Sequence, residues 1–394
     1  MKKEVIIVGG GPAGTFTALY LAAKCPWLAK DIVLLEAQPQ GREKVCAGGV
    51  SGRVMKTARE DLGIDISSLP GRDVEGMMVR VGDWGATADK PGLGRVIRRE
   101  LLDSFLLDRV KERGVTVLTE TPVGNIVREP RSISAETAKG TFTGRVLVGA
   151  DGMSGITEKA LGVRQGKHEY LYMVDLPGVE VAPRFMLDYT PVMYGIPGYF
   201  WVFPEAYGAN IGITGGSADN MKYLKKVLLL MAAKNGIKLD EGEHKFKTYP
   251  ERFFSFSTPS HAERVLFVGD KLGVTPMTGE GIGICLHSAK AAADEIIQAL
   301  GGCDYSFRKY PRRLFASDFV PTWYIEKFIF KCKTPVLLKL LFKLATSENR
   351  EQGKAFIDNY CSIFAGDVQA WSFESLGTLL RLLPSRKLLG SMVG

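Results

Sequence analysis

Near its start the chain carries the stretch VIIVGGGPAG at residues 5–14, and this stretch decides the fold. A short β-branched run without alternation predicts a buried parallel strand at Val5–Val8, followed by a helix. In the G-x-G-x-x-G spacing, Gly9 permits the tight turn that leaves the strand, Gly11 lets the backbone approach a phosphate, and Gly14 lets the helix pack close to the strand. The free N–H groups at the helix start would face a bound pyrophosphate.

An acidic residue stands at the position that such a site requires. Glu36 ends the next predicted strand, Ile32–Leu35, close to the offset of about 20 residues at which an acid binds a ribose hydroxyl. A carboxylate at this position repels a 2′-phosphate, so the pattern favours FAD or NAD over NADP. The alternative, a packing turn that binds no nucleotide, leaves the acid and its spacing without a reason.

Two further glycine-rich stretches lie far along the chain. They are VGADG at 148–152 and LFVGD at 266–270, the second followed by GEGI at 279–282. Only one G-x-G-x-x-G is present, so the distant stretches predict FAD rather than NAD as the cofactor. Asp270 would hydrogen-bond ribityl or ribose hydroxyls. The helix start at Gly281-Ile282 would point N–H groups at the flavin pyrimidine edge, where negative charge develops on reduction.

These elements predict an α/β fold, in which a Rossmann-like FAD-binding domain is interrupted by an antiparallel-sheet substrate lobe and followed by a helical C-terminal region. The lobe is predicted where aromatic and β-branched segments alternate with Pro and Gly. The segments are 1–63, 95–165 and 253–300 for the FAD-binding domain, 64–94 and 166–252 for the substrate-binding lobe, and 301–394 for the basic helical C-terminal region.

The amino-acid composition limits the possible binding partners and the cellular compartment. The 394 residues carry a net charge of +8, and most of the excess lies in residues 301–394. No recognised nucleic-acid motif accompanies this charge, so no nucleic-acid partner is expected. The six cysteines form no C-x-x-C pair and the four histidines have no metal-ligand spacing, so we expect a reduced, cytoplasmic protein without a metal ion. Neither a signal peptide nor a membrane-spanning helix is expected.

Two motifs narrow the class further. The first is GREKVCAGG at 41–49, and the second is YFWVFP at 199–204, followed by GANIG at 208–212. With these motifs the chain resembles the FAD-dependent geranylgeranyl reductase family, within the p-hydroxybenzoate-hydroxylase-like flavoprotein superfamily. The second motif matches the family element Y-x-W-x-F-P with a glycine pair downstream. The superfamily resemblance covers roughly residues 1–300.

The resemblance implies roles for particular residues. Cys46 lies in the cysteine-glycine loop that packs against the flavin, and Arg99 aligns with an arginine that contacts the FAD phosphates. Val123 falls where a backbone contact to the adenine is usual. With the residues deduced from spacing, the predicted cofactor-binding set is Gly9, Gly11, Ala13, Gly14, Glu36, Arg42, Cys46, Ala47, Gly49, Arg99, Val123, Asp270, Gly281 and Ile282.

The chain departs from the family pattern in two places. Lys271-Leu272 follow Gly269-Asp270, where two small residues are usual. Ser154 is followed by Gly155-Ile156-Thr157, where the superfamily usually has an arginine. The exact geometry at the flavin edge and the contact with the reductant are therefore not predicted by the resemblance.

Family members reduce isolated C=C bonds of polyprenyl chains, so the resemblance implies a long-chain isoprenoid substrate. A hydride from the reduced flavin N5 would reach one carbon while a proton reaches the other. Cys46 is a candidate source of that proton, or it only lines the pocket, since most free cysteines pack as small apolar side chains. Tyr199, Trp201 and Phe203 are predicted to wall an apolar substrate tunnel, or else to form ordinary sheet core.

Several alternatives stay open. A flavin monooxygenase or halogenase shares the fold, although the halogenase element W-x-W-x-I-P differs here at Tyr199 and Phe203. The others are a flavoprotein electron carrier to a quinone or partner protein, and a non-catalytic lipid-binding flavoprotein. The electron donor is NADPH or a ferredoxin-like protein that docks on the basic surface. The lysine-rich apolar segments 323–331 and 336–344 are typical either of interfacial helices that hold the protein at the inner face of the cell membrane, or of a helical cap over the substrate lobe.

Overall fold

The computed structural model describes residues 1–163, 168–253, 258–275, 278–317 and 350–367. Its α-helices, in chain order, are α1 (Pro12–Lys24), α2 (Gly52–Leu62), α3 (Arg99–Glu112), α4 (Ile156–Ala160), α5 (Met221–Lys234), α6 (Ile282–Gly302), α7 (Tyr310–Phe315) and α8 (Arg350–Ala365).

The β-strands within these ranges form three sheets. In chain order they are β1 (Val5–Val8), β2 (Ile32–Leu35), β3 (Gly49–Ser51), β4 (Arg72–Val81), β5 (Trp84–Val96), β6 (Thr116–Leu118), β7 (Val123–Arg128), β8 (Ile133–Thr137), β9 (Gly140–Gly144), β10 (Val146–Gly149), β11 (Glu169–Pro177), β12 (Phe185–Asp188), β13 (Phe200–Glu205), β14 (Gly208–Gly216), β15 (Lys247–Glu251), β16 (His261–Ala262) and β17 (Val265–Phe267).

The first sheet has the strand order β16-β17-β10-β1-β2-β6 and is parallel except for the β16–β17 pair. Strands β1, β2 and β10 are buried along their whole length, and they lack the alternation of a sheet with one wet face. Helix α1 contacts α3, α6 and the strands β1 and β2. This is the Rossmann-like half, and the strand at Val5–Val8 and the helix that follows it confirm the prediction from the first motif.

The second sheet has the order β15-β11-β14-β13-β12-β4-β5-β3. Neighbouring strands are antiparallel except β12 and β4, which run parallel. Its strands come mostly from the two excursions predicted for the substrate lobe, but β3 comes from a segment that the sequence assigned to the FAD-binding domain. Strands β7, β8 and β9 form a separate antiparallel sheet. The antiparallel lobe is thus present, whereas its exact boundaries stay a prediction.

Helix α8 covers part of the second sheet. Its Ile357 and Cys361 are buried in the same core as residues of β4 and β5, and the Phe364 ring meets the Phe185 ring edge-on with centroids 6.0 Å apart. Helix α8 is therefore arranged as a cap over the second sheet. The segments 323–331 and 336–344, for which an interfacial helix was the other interpretation, lie outside the described residues. No helix within the described ranges combines the length and hydropathy that crossing a bilayer requires.

Candidate functional site

A cavity of about 810 Å³ is lined by residues of both large sheets. On the first sheet it lies at the carboxyl ends of the parallel strands β1, β2 and β10, the edge at which open α/β sheets bind ligands. Gly14 is the one predicted site residue that does not line it. Those that do are Gly9, Gly11, Ala13, Glu36, Arg42, Cys46, Ala47, Gly49, Arg99, Val123, Tyr199, Trp201, Phe203, Asp270, Gly281 and Ile282.

The glycines around the start of α1 have two different roles: two of them lie against neighbouring backbone, and one faces open space. Gly9 has a φ of +112°, and a Cβ there would lie 2.3 Å from the carbonyl oxygen of Ala150. A Cβ at Gly14 would lie 2.0 Å from the carbonyl oxygen of Gly9, so this residue serves helix–strand packing. A Cβ at Gly11 would meet only Arg42 Nη2, at 3.6 Å. The protein therefore leaves space beside Gly11. A phosphate that approaches the backbone needs such space.

Glu36 is held in place by the backbone around it. It is 6 % exposed at the end of β2, and its Oε2 accepts a hydrogen bond from the N–H of Gly10 at 2.6 Å. Its Oε1 accepts one from the N–H of Gln38 at 2.8 Å and lies 3.5 Å from Arg42 Nε. A fixed carboxylate at this edge suits the hydroxyls of a ribose and opposes a 2′-phosphate.

Two arginines that line the cavity share one carboxylate. The Arg99 side chain donates from Nε to Asp103 Oδ1 at 2.8 Å and from Nη2 to Asp103 Oδ2 at 3.0 Å. Arg42 Nη2 lies 3.2 Å from the same Asp103 Oδ2. Burial alone would lower the pKa of Arg99, but Asp103 and the Cys46 side chain raise that pKa well above its ordinary value. Arg99 is thus fixed and charged, and Arg42 lies against the same carboxylate. This arrangement fits a dinucleotide pyrophosphate.

Cys46 lies in the predicted loop and faces the same cations. Its Sγ accepts a hydrogen bond from the N–H of Gly48 at 3.4 Å and is also hydrogen-bonded to the Arg99 side chain. The loop is pressed against aromatic rings, because a Cβ at Gly49 would lie 3.1 Å from the Phe203 ring and 3.2 Å from the Phe185 ring. The loop therefore joins the cofactor-binding edge to the second sheet.

Lys44, in the same loop, lines the cavity but was not predicted as a site residue. Its Nζ lies 3.2 Å from the centroid of the Tyr249 ring. Burial lowers the pKa of Lys44 to about 8, against the opposing effect of Asp270. A lysine between Glu43 and Val45 has no spacing signal, so sequence reasoning could not separate it from a solvated surface lysine.

The second sheet gives the cavity an apolar wall. The ring centroids of Tyr199 and Trp201 are 6.1 Å apart, and those of Phe185 and Phe203 are 4.6 Å apart. The Trp201 ring lies so close to Gly212 that a Cβ there would come within 2.2 Å of Cζ2. These aromatic residues belong to the packed core of the sheet and also line the cavity. The two interpretations of this motif therefore do not exclude each other.

A chain of hydrogen bonds, called here the Trp201–Glu43 relay, links this wall to the cofactor loop. Trp201 Nε1 donates to Asn210 Oδ1 at 2.8 Å, and Asn210 Nδ2 donates to Asp175 Oδ1 at 2.7 Å. Lys247 Nζ donates to Asp175 Oδ2 at 2.6 Å and lies 2.5 Å from Glu43 Oε1. Asn210 is fully buried, so its amide is ordered by partners on both sides.

The two departures from the family pattern meet in one buried ion network. Lys271 is 0 % exposed, and its Nζ lies 3.0 Å from Asp151 Oδ2 and 3.4 Å from Glu158 Oε2. Arg252 Nη1 donates to Glu158 Oε1 at 2.9 Å. Thr157 donates to Asp151 from both its hydroxyl (2.5 Å) and its N–H (3.2 Å). Residues of both departures thus contact the same carboxylate, that of Asp151, and a pattern examined one position at a time could not show this.

The fold, the glycine turn, the fixed acid and the paired arginines together fit FAD, and the chain is an FAD-dependent oxidoreductase. Residues 2–194 match the FAD binding domain family. Over 326 residues the chain is 29 % identical to digeranylgeranylglycerophospholipid reductase 2 of Methanothermobacter thermautotrophicus. The aligned region covers 76 % of this chain and 79 % of that relative. The resemblance to geranylgeranyl reductases that the motifs predict is therefore confirmed.

Solved structures show the same architecture. A geranylgeranyl bacteriochlorophyll reductase-like protein from Thermoplasma acidophilum superposes with a TM-score of 0.68 at 21 % identity, covering 99 % of each chain. The flavin-dependent brominase Bmp2 superposes with a TM-score of 0.69 at 15 % identity, covering 97 % of this chain and 98 % of its own. At these identities the likeness establishes the fold, and the choice between reduction and halogenation depends on the site.

Proposed function

We propose that the protein reduces C=C bonds of a polyprenyl chain of geranylgeranyl type, by flavin hydride transfer coupled to protonation. The observation that carries this proposal is a single cavity that joins the cofactor-binding edge to an apolar aromatic wall. A polyprenyl chain has no polar group along its length, so an apolar wall is the surface that would hold it. Besides Tyr199, Trp201 and Phe203, apolar side chains of the second sheet and α8 that line the cavity are Met77, Leu171, Phe185, Leu187 and Phe364.

FAD, when bound, supplies the hydride; the residues of the chain position the reactants and exclude water. Arg42 and Arg99 would hold the pyrophosphate near the start of α1, and Glu36 would accept a hydrogen bond from a ribose hydroxyl. Tyr199 brings its hydroxyl so close to Gly279 that a Cβ there would lie 2.3 Å from it. The apolar wall therefore begins directly beside the loop that the sequence predicts at the flavin edge.

The relative named digeranylgeranylglycerophospholipid reductase supports an isoprenoid lipid as the substrate class. The difference from the halogenase element at Tyr199 and Phe203 supports reduction over halogenation. We propose NADPH or a ferredoxin-like protein as the electron donor. Chemical reduction with dithionite replaces either donor in the experiment below.

The experiment is a single turnover without oxygen. The purified FAD-loaded protein is reduced with dithionite, a geranylgeranyl lipid is added, and the flavin spectrum is followed together with the mass of the lipid. We expect the oxidised flavin spectrum to return while each reacted double bond gains two hydrogens. The matched control is the fully saturated lipid, which should leave the flavin reduced.

A flavin that stays reduced with the unsaturated lipid would contradict the proposal. Reoxidation by air that oxygenates or halogenates an added substrate would then identify a monooxygenase or halogenase. Rapid reoxidation by a quinone, without any change in lipid mass, would identify an electron carrier.

A further inference from the structure

The proposed reaction needs a proton that the cofactor does not provide. An isolated double bond cannot stabilise an anion, so an acid must act together with the hydride. Cys46 was the candidate from the sequence, but the Arg99 side chain and the N–H of Gly48 both direct hydrogen bonds to its sulfur. Its sulfur is thus already engaged by donors at the cofactor-binding edge. The following inference rests on the proposed function and concerns a different residue.

Glu251 is the last residue of β15 and lines the cavity. In the antiparallel pairing of β15 with β11 it stands directly opposite Glu169. Side chains of directly opposed residues project from the same face of a sheet, with Cβ atoms about 5 Å apart. Two carboxylates that project from one face at this spacing repel each other, which favours the protonated form of one of them.

Among the described residues, Glu251 makes no ion pair. Its Oε1 is buried and has no hydrogen-bond partner among the described residues. The adjacent cation, Arg252, is bonded to Glu158 at 2.9 Å. Lys44, which also lines the cavity, lies over the ring of Tyr249. A charged carboxylate without a donor would cost more at this position than a neutral carboxylic acid.

The direction of the titration agrees with this geometry. Burial, assisted by the negative charges of Glu169 and Asp270, raises the pKa of Glu251 to about 8. At neutral pH the side chain is therefore mainly a carboxylic acid. By contrast, burial raises the pKa of Tyr249 to about 12, which makes its hydroxyl a much weaker acid.

We propose that Glu251 is the proton donor of the reaction. The π bond of the substrate breaks as one carbon receives the hydride and the other receives the proton of Glu251. The O–H bond of Glu251 breaks in the same event and leaves a carboxylate, which regains a proton from water. The two electrons come from the reduced flavin, which an NADPH-type or ferredoxin-type donor restores for the next turnover.

The test compares Glu251→Gln with the matched variant Glu169→Gln. Glu251→Gln has the same shape but cannot donate a proton, so we expect lipid reduction to fall about 10²- to 10⁴-fold while FAD stays bound. Wild-type turnover should fall as the pH rises through the Glu251 pKa of about 8, because the acid is then lost. Glu169→Gln removes a neighbouring negative charge, so it should keep activity at low pH and move this fall to lower pH.

Infrared spectra provide a readout that does not depend on turnover. The carbonyl band of a protonated carboxylic acid should be present in the wild type at pH 7, should disappear above pH of about 8, and should be absent in Glu251→Gln. Glu251→Gln with wild-type turnover and pH profile would overturn the inference. If that variant failed to bind FAD, an unshifted profile in Glu169→Gln would overturn it instead, and a shifted one would support it. A wild type that reduces no lipid would refute the proposed function itself, while the infrared band would still report whether Glu251 holds a proton.

Discussion

Gly14→Ala is expected to destabilise the FAD-binding half of the protein, whereas Gly11→Ala is expected to leave the fold intact and weaken FAD binding. The added methyl group at Gly14 would lie 2.0 Å from the carbonyl oxygen of Gly9, and neither backbone can yield without separating α1 from β1. We expect a cost of about 3 kcal/mol, at the upper end for overpacking. At Gly11 the methyl group meets protein only at 3.6 Å, so it would instead occupy the space of the phosphate.

Denaturant unfolding of the apoproteins and titration with FAD would separate the two effects. Gly11→Ala should unfold like the wild type but bind FAD at least about tenfold more weakly, a loss of about 1.4 kcal/mol. Gly14→Ala should unfold at lower denaturant whether or not FAD is added. Equal stability of the Gly14→Ala and wild-type apoproteins would refute the packing argument. Unchanged FAD affinity in Gly11→Ala would refute the assignment of this turn to the pyrophosphate.

Lys271→Met is expected to lower the free energy of unfolding by about 3–5 kcal/mol, because it removes a buried cation that lies beside two buried carboxylates. Lys271 Nζ lies 3.0 Å from Asp151 and 3.4 Å from Glu158, and all three side chains are buried. Arg252 still faces Glu158 in the variant, so Asp151 bears most of the loss. Thermal or denaturant unfolding of the FAD-free protein would measure this loss of stability.

Lys290→Met is the matched control for this variant. Lys290 also makes an ion pair, with Asp61 at 2.7 Å, but its side chain is 42 % exposed. Exposed pairs contribute up to about 1 kcal/mol, so this variant should unfold close to the wild type. Similar losses of unfolding free energy in the two variants would mean that burial does not increase the contribution of the Lys271 network to stability.

The nucleotide-binding edge could be predicted because it follows local backbone rules. The turn at Gly9, the packing at Gly14 and the acid at Glu36 all lie within one βαβ unit of about 30 residues, where spacing alone fixes their geometry. Tyr199 and Trp201 came from a motif, and they do line the cavity. Their roles toward FAD and substrate stay predictions.

The titratable side chains held away from solvent could not be predicted in the same way. Lys271 is fully buried, and Lys44 and Glu251 are half-buried. Lysine and glutamate are residue types that are mostly exposed, so each of the three alone suggests solvent exposure. Their environments arise only when distant segments meet, as when β15 brings Glu251 opposite Glu169. For the same reason the sequence did not associate Phe364 of α8 with the cavity, although that ring is part of its lining.

The Trp201–Glu43 relay has a consequence for how the substrate range of such an enzyme can change. A replacement in the wall that tilts the Trp201 ring to admit a bulkier lipid would disturb Asn210 and, through Lys247, the loop that carries Glu43 and Cys46. Under the proposed function, lipid selectivity and flavin retention are therefore coupled, so a change in one is expected to change the other. Variants chosen for a new lipid should release flavin more readily on dilution, which flavin fluorescence would report, and selectivity variants with unaltered flavin release would show that the two properties are separable.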